Sequence, residues 1–368
     1  MKPTPDTARS RGACIAAPLF AMMYATLLGL LPAGCATTAP PRTAAASTVA
    51  SAAPAPIWPE PPAKTRIRYL RSISGPQDWG IAKSLFRRLI DALTGSGSDH
   101  FIRPTGVAEQ QGVLYVADPG APALWIFDAG RNETHKVERV GDTELLSPVA
   151  VAIRPDGAVY LADSRLKKVF LIDRAGELIG VAAQQGLERP AGLAYDPVRG
   201  RLYVADSANQ RIAVFGPDAR LIGTWGAAGS GDGQFNYPTH LALDPAGTLL
   251  VTDALNFRVQ AFAPDGRYLW QFGHHGDGSG DVAAPKGVAF DPAGHVFVVD
   301  ALFDAVQIFR RDGRFLLGFG QHGAQPGQFW LPGGLFISPN NEIYVADAFN
   351  QRIQVFQGGP GAAREKLK

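Results

Sequence analysis

Three stretches of the chain set an acid, an amide and a guanidinium in quick succession. They are Asp206, Asn209 and Arg211 in VADSANQRIAVF; Asp253, Asn256 and Arg258 in VTDALNFRVQAF; and Asp347, Asn350 and Arg352 in VADAFNQRIQVF. If the three polar groups converged on a substrate they could form a reacting constellation. A catalytic set is rarely written three times in one chain, whereas a structural unit often is. Repetition therefore assigns these nine residues to the architecture. The Asp ends a strand, and the Asn sits in the turn, where its side chain tolerates left-handed backbone. The Arg opens the next strand, where its planar fork can bridge carboxylates or carbonyls between neighbouring units.

The repeat extends beyond the three full copies. A proline opens each of six units (Pro104, Pro148, Pro190, Pro238, Pro285, Pro332). An aspartate ends the second apolar run of each (Asp118, Asp163, Asp206, Asp253, Asp300, Asp347), at intervals of about 45 residues. In the fifth unit the apolar runs GVAF, HVFVVD, AVQIFR and FLLGFG are separated by DPAG, ALFD and RDGR. Short runs between Asp-Pro, Asp-Gly and Asn turns predict antiparallel hairpins. Four such strands repeated around an axis predict an all-β propeller. A helical repeat of this period would need amphipathic helices of about ten residues or more, and the units contain none. Composition agrees, since 42 glycines, 29 prolines and only 18% charged residues suit short strands and tight turns. The formal charge of +2 points to no nucleic-acid-binding surface.

The pattern Pro-x-Gly-[Val/Leu]-Ala, Asp-Pro-x-Gly, [Tyr/Phe]-Val-[Ala/Val]-Asp-x-x-Asn-x-Arg-[Ile/Val]-x-x-Phe resembles the NHL repeat over residues 103–357, and the connectors GDGQFNYP and PGQFWLP fit it too. The third, fourth and sixth units match well. The fifth keeps Asp300 but has Phe303 and Ala305 where Asn and Arg belong, and the first two carry DPGAPAL and DSRLKK instead. The resemblance implies a six-bladed propeller of the NHL/TolB-like type with four antiparallel strands per blade. The last unit stops after its third strand, RIQVFQ, while RIRYLRSI (Arg66 to Ile73) has no repeat of its own. That run is expected to complete the last blade and hide two open edges. One segment breaks the period. DWGIAKSLFRRLIDALTG spaces Ile81, Leu85, Leu89 and Leu93 four apart, which predicts a short amphipathic helix over 78–94, inserted before blade 1. It either packs on the propeller or serves a partner or a membrane interface.

Some propellers that resemble NHL repeats are zinc-dependent lyases with histidines around the central channel. The residue two after each repeat proline is expected to face that channel, which gives Gly106, Ala150, Gly192, His240, Gly287 and Gly334. A catalytic zinc usually takes three protein ligands, and only His240 offers one. His274 and His275, with Asp277 and Asp281, lie in a Gly-rich loop that no periodic position repeats. GDGSGD lacks the spacing of a calcium loop, and there is neither a Gly-x-Ser-x-Gly elbow nor a Walker loop. No metal, cofactor or catalytic residue is expected. The turns after the second strands and the connectors between blades should emerge on one face. That face would carry Trp225, Phe235, Tyr237, Phe329 and Trp330, which suit recognition of a protein or glycan or else cap the blade cores. His240, His274 and His275 join them as candidate binding residues.

At the N-terminus, Lys2, Arg9 and Arg11 precede an uncharged stretch from Gly12 to Cys35. A basic start, an apolar middle and small residues at the end form an export signal, with a retained anchor as the alternative. LPAGC resembles the bacterial lipobox, whose cysteine becomes lipid-modified, although Pro32 stands where leucine is usual. The expected organisation is a lipoprotein signal peptide (1–34), a lipidated Cys35, an Ala/Pro-rich tether (35–63), the propeller (64–358) and a basic tail (359–368). The protein would then be membrane-anchored in a bacterial envelope with its ring in the periplasm. Cys14 lies inside the signal, so the processed chain has no cysteine pair for a disulfide. The expected function is a non-enzymatic scaffold that binds a protein or glycan through one face of the ring. The alternative is a metal-dependent lyase or lactonase-like hydrolase acting in the channel.

Overall fold

The computed structural model describes residues 55–64, 66–82 and 99–359. Cys35, the signal segment, most of the tether and residues 360–368 lie outside them.

The third repeat shows how the sequence builds a blade. Its inner strand Pro190–Asp196 pairs with Arg201–Asp206, then with Arg211–Phe215 and the outer strand Leu221–Trp225, all antiparallel. The second strand is apolar on both faces and buried along nearly its whole length, as a strand covered by sheets on both sides must be. The outer strand alternates between half-buried and exposed, the period-two pattern of an edge with one wet face. The register pairs Pro190 with Asp206, and Asp206 with Arg211. The three marker residues of the repeat therefore stand side by side at one end of the blade.

The described residues form six such blades, the last with five strands. The inner strands Gly106–Gln110, Pro148–Ile153, Pro190–Asp196, Pro238–Leu243, Pro285–Phe290 and Pro332–Ile337 neighbour one another in turn, and the sixth returns to the first. Hydrophobic clusters fill each of the six seams between blades. The core is thus a ring of seams with no single centre. Close approach of the inner strands needs glycine: a Cβ at Gly106 would sit 2.8 Å from the Val149 carbonyl of the next blade, and one at Gly287 would sit 2.6 Å from the Leu335 amide.

Closure follows the sequence expectation. Ile67–Ile73 pairs with Arg352–Gly358 and becomes the fourth strand of the last blade. A further short strand, Ile57–Trp58, pairs outside it. The end of the expected tether is therefore ordered against the ring, because Trp58 packs its indole 5.6 Å from Phe319 and 5.8 Å from Phe356.

The helix expected over 78–94 does not begin where the periodicity places it. Pro76–Trp79 form a 3-10 turn stopped by Gly80, whose φ of 85° breaks the helical path, and Ile81 and Ala82 are non-helical. Tertiary packing overrides the pattern: Trp79 and Ile81 are buried in the seam between blades 6 and 1, and the indole donates to the Gly112 carbonyl at 3.0 Å. The remainder of that segment, 83–98, is outside the described residues. The Phe101 amide donates back to the Ser74 carbonyl, so the excursion leaves and rejoins the connector at one place.

Candidate functional site at the mouth of the channel

Each blade-end aspartate is fully buried, and each accepts hydrogen bonds from the segment that leads into its own inner strand. Asp118 takes the amides of Ile102 and Arg103, Asp163 those of Leu146 and Ser147, and Asp206 those of Glu188 and Arg189. Asp253 takes Asn236, Asp300 takes Ala283 and Ala284, and Asp347 takes Trp330. In blades 4 and 6 the carboxylate also receives Asn and Arg side chains: Asn256 at 2.8 Å and Arg258 at 2.8 Å, and Asn350 at 2.9 Å and Arg352 at 2.8 Å. Where the motif has decayed, turn amides take their place, as Gly120 and Ala121 do for Asp118 and Leu302 and Phe303 do for Asp300. The Asp is kept in all six units because a buried carboxylate needs several donors and the turn supplies them by either route. Its mechanical result is to fix the backbone just before each repeat proline.

The motif differs from expectation in two details. The left-handed residue is the one after Asn: Gln210, Phe257 and Gln351 have φ of 52°, 53° and 56°. Asn instead donates to its Asp and to a connector carbonyl, Gly186, Gly229 or Gly323. The Arg fork grips the connector that leads into its own blade. Arg258 donates to the carbonyls of Ser230, Gly231 and Gln234, and Arg352 to those of Gln325 and Gln328.

Proline and Asp stand together, so the turns after the second strands and the connectors share one face, and the channel opens there as a cavity of about 550 Å³. The residue directly after each proline lines it: Thr105, Val149, Ala191, Thr239, Lys286 and Gly333. The residue two after, expected to face the channel, does not in most blades. A Cβ at Gly106, Gly192, Gly287 or Gly334 would meet the backbone of the next inner strand. The ladder also slips at the start of five of the six inner strands, while in blade 1, whose ladder is continuous from Gly106, the lining residue is likewise the one directly after the proline. His240 is the member of that set whose side chain reaches the cavity, and it bonds Thr239 Oγ1 at 3.1 Å. Burial, helped by the Lys286 charge, pushes its imidazole down to about 3, so it is neutral.

The electrostatics of the mouth are one-sided. Arg103, Arg189 and Lys286 line it, from blades 1, 3 and 5, and no carboxylate is among the lining residues. Lost hydration lowers the Lys286 ammonium below its ordinary value, opposed by the charge of Asp300. Arg189 lies over the Tyr237 ring at 5.6 Å. On the other side the rim is apolar: Leu302 is 65% exposed, Phe349 48% and Trp330 47%, with Trp330 against Phe349 at 5.7 Å. Tyr237 and Leu331, just before their prolines, hold φ of 65° and 48°. Left-handed backbone at bulky residues persists only where the surroundings enforce it; for Leu331 the Asp304 carboxylate does so, accepting the amide at 2.6 Å.

The sequence candidates separate accordingly. Tyr237 and His240 line the mouth and Trp330 stands on its rim. Phe235 and Phe329 are fully buried and cap blade cores, each burial contributing roughly 2–3 kcal/mol. Trp225 packs on Tyr203 and Phe262. His274 is exposed and pairs with Asp281 at 2.6 Å, and His275 lies edge-on to Phe257 at 4.5 Å. Neither lines the mouth. Lys286, Arg103, Arg189, Leu302 and Phe349 were missed by sequence reasoning. Their signal was position, directly before or after a repeat proline or just past the blade-end Asp.

Comparison with known proteins agrees with this architecture. The NHL-repeat family model matches residues 187–215 and 329–356, the third and sixth units. Among solved structures, virginiamycin B lyase from Staphylococcus aureus superposes with a TM-score of 0.53 at 14% identity, covering 70% of this chain and 95% of that one. An auxiliary nutrient binding protein from Bacteroides thetaiotaomicron gives 0.56 at 12% identity, covering 70% and 69%. A chain of a nidogen/laminin complex gives 0.50 at 20% identity, covering 67% and 86%. At these identities the likeness shows the fold alone. The chain thus carries NHL repeats, matched at its third and sixth units, within a six-bladed β-propeller.

Proposed function

We propose that the ring is a non-enzymatic binding module that engages a protein or glycan partner on the face around the channel mouth, and that Cys35 tethers it to a bacterial envelope membrane. The observation that carries this reading is the exposed apolar crescent of Leu302, Trp330 and Phe349 beside a cationic mouth. Exposed aromatics next to unpaired arginine are the groups that dominate recognition surfaces. Two of the fold neighbours, a nutrient-binding protein and a chain of a nidogen/laminin complex, are named for binding, which supports the reading by analogy of fold only. A neighbour is also a lyase, but cations at the mouth repel a divalent metal, and the buried aspartates nearest it already hold amides and guanidinium groups. The test is capture of envelope protein or glycan by wild type, by Trp330→Ser/Phe349→Ser and by the control Ile222→Ser on an exposed outer strand. The face variant is expected to lose the species that wild type and control retain, at an unchanged melting temperature. Equal capture by all three would discard this face.

A further inference from the structure

The mouth contains more cationic charge than the fold requires. Among the described residues, none of the three side chains there has an ion-pair partner: Arg103 and Arg189 make hydrogen bonds through their backbone, and the Arg189 side chain covers the Tyr237 ring. Elsewhere, arginines that lean on the fold are neutralised by it: Arg199, Arg258, Arg311 and Arg352 are each paired to a buried Asp. A half-buried lysine with no direct ion pair, its charge offset only at a distance by Asp300, is costly, and a fold that only needed to fill its channel would place an apolar residue there. The cations come from alternate blades, so they approach the axis from three sides. Between them, Thr105 and Ser164 donate their hydroxyls within the fold and Thr239 bonds His240, while Leu302, Leu331 and Phe349 provide an apolar wall on the blade 5–6 side. A cavity of about 550 Å³ is within the size range of small-ligand sites.

We propose that the channel mouth binds a small organic anion, with its carboxylate or phosphate head among Lys286, Arg103 and Arg189 and its apolar body against Leu302, Leu331 and Phe349. This rests on the binding reading of the same face and names the ligand class. The head group receives charge-assisted hydrogen bonds from the three cations, which are stronger in a partly desolvated pocket than in water. His240, being neutral, donates or accepts a hydrogen bond without adding charge. The apolar wall then selects amphipathic anions over inorganic ones.

Calorimetry with octanoate, octyl phosphate, inorganic phosphate and octylammonium tests this. Octanoate or octyl phosphate is expected to bind one per chain, the better of the two identifying the head group, and octylammonium is expected not to bind. Lys286→Met should weaken the preferred anion about 10- to 100-fold, and Arg103→Gln/Arg189→Gln by at least about 10-fold. The Lys286→Met protein should hold or raise its melting temperature, because at Lys286 lost hydration outweighs the attraction of Asp300. Absence of binding by both amphipathic anions, or equal binding to Lys286→Met at an intact fold, overturns the proposal. Inorganic phosphate binding as tightly as octyl phosphate overturns the amphipathic part. If no anion binds while Trp330→Ser still abolishes partner capture, the ligand class fails and the binding face stands.

Discussion

The three motif arginines share a position and differ in environment. Arg258 is 8% exposed and makes five hydrogen bonds, one of them to Asp253. Arg352 keeps the carboxylate contact and two carbonyls. Arg211 is 25% exposed, stands 3.5 Å from Asp206, and its Nε has no hydrogen-bond partner. Truncation to Ala is therefore expected to cost about 2–4 kcal/mol at Arg258, less at Arg352 and about 1 kcal/mol or less at Arg211, in urea unfolding. Equal costs would mean that position in the repeat, and not local burial, sets the energy. His240 gives a pH signature. Its folded pKa of about 3 lies below the ordinary value, so as pH falls through about 6.5 the unfolded chain takes up a proton that the folded chain refuses. The contribution is present above that pH and is lost on acidification, by at most about 1.4 kcal/mol per pH unit. Unfolding midpoints at about pH 7 and about pH 5.5 should converge in His240→Gln relative to wild type.

At the scale of elements, the strand Ile67–Ile73 carries the burden of closure. It covers the open edge of Arg352–Gly358, contributes Ile73 to the seam between blades 6 and 1, and contributes Ile67 to the seam between blades 5 and 6. Removal of residues 64–74 would expose two strand edges and open both seams together. The expected outcome is a lower melting temperature with aggregation, since unpaired edges template association. An unchanged melt would place the closure elsewhere. The Asp clamps act at the same scale in a different way: by holding the connector amides they fix where the channel-rim side chains start, without touching a ligand.

For the whole molecule, the ring is a closed support whose exposed apolar rim and unpaired cations meet at one end of the channel. Six separate seams make the scaffold tolerant of changes at the mouth, because rim residues such as Lys286 and Phe349 belong to none of them. Anchoring is a proposal from sequence, and Cys35→Ser tests it. Fatty-acid labelling is expected in wild type and absent in the variant, which should leave the membrane fraction. Label in both would remove the lipid anchor while leaving the propeller and its mouth as described.

Periodicity by itself determined the number of blades, the order of strands and the identity of the closing strand, because each follows from local alternation and turn chemistry repeated six times. Pro190, Asp206 and Arg211 were recognisable as framework for the same reason: a residue type that recurs at one register is answering a backbone demand. The cations of the mouth do not recur. Arg103, Arg189 and Lys286 occupy related positions in different blades, and only closing the ring brings them to one opening. The sequence also misplaced the channel lining by one residue in most blades, since the positions of Gly106, Gly192, Gly287 and Gly334 are pressed against the next inner strand and the residue before each one faces the opening. It likewise predicted the helix to begin at Asp78, whereas over the described part, up to Ala82, burial of Trp79 and Ile81 in a seam and the left-handed Gly80 stop a single 3-10 turn. What neighbours along the chain can settle was legible; what distant blades settle together required the tertiary structure, because charge convergence and seam packing are properties of the closed ring.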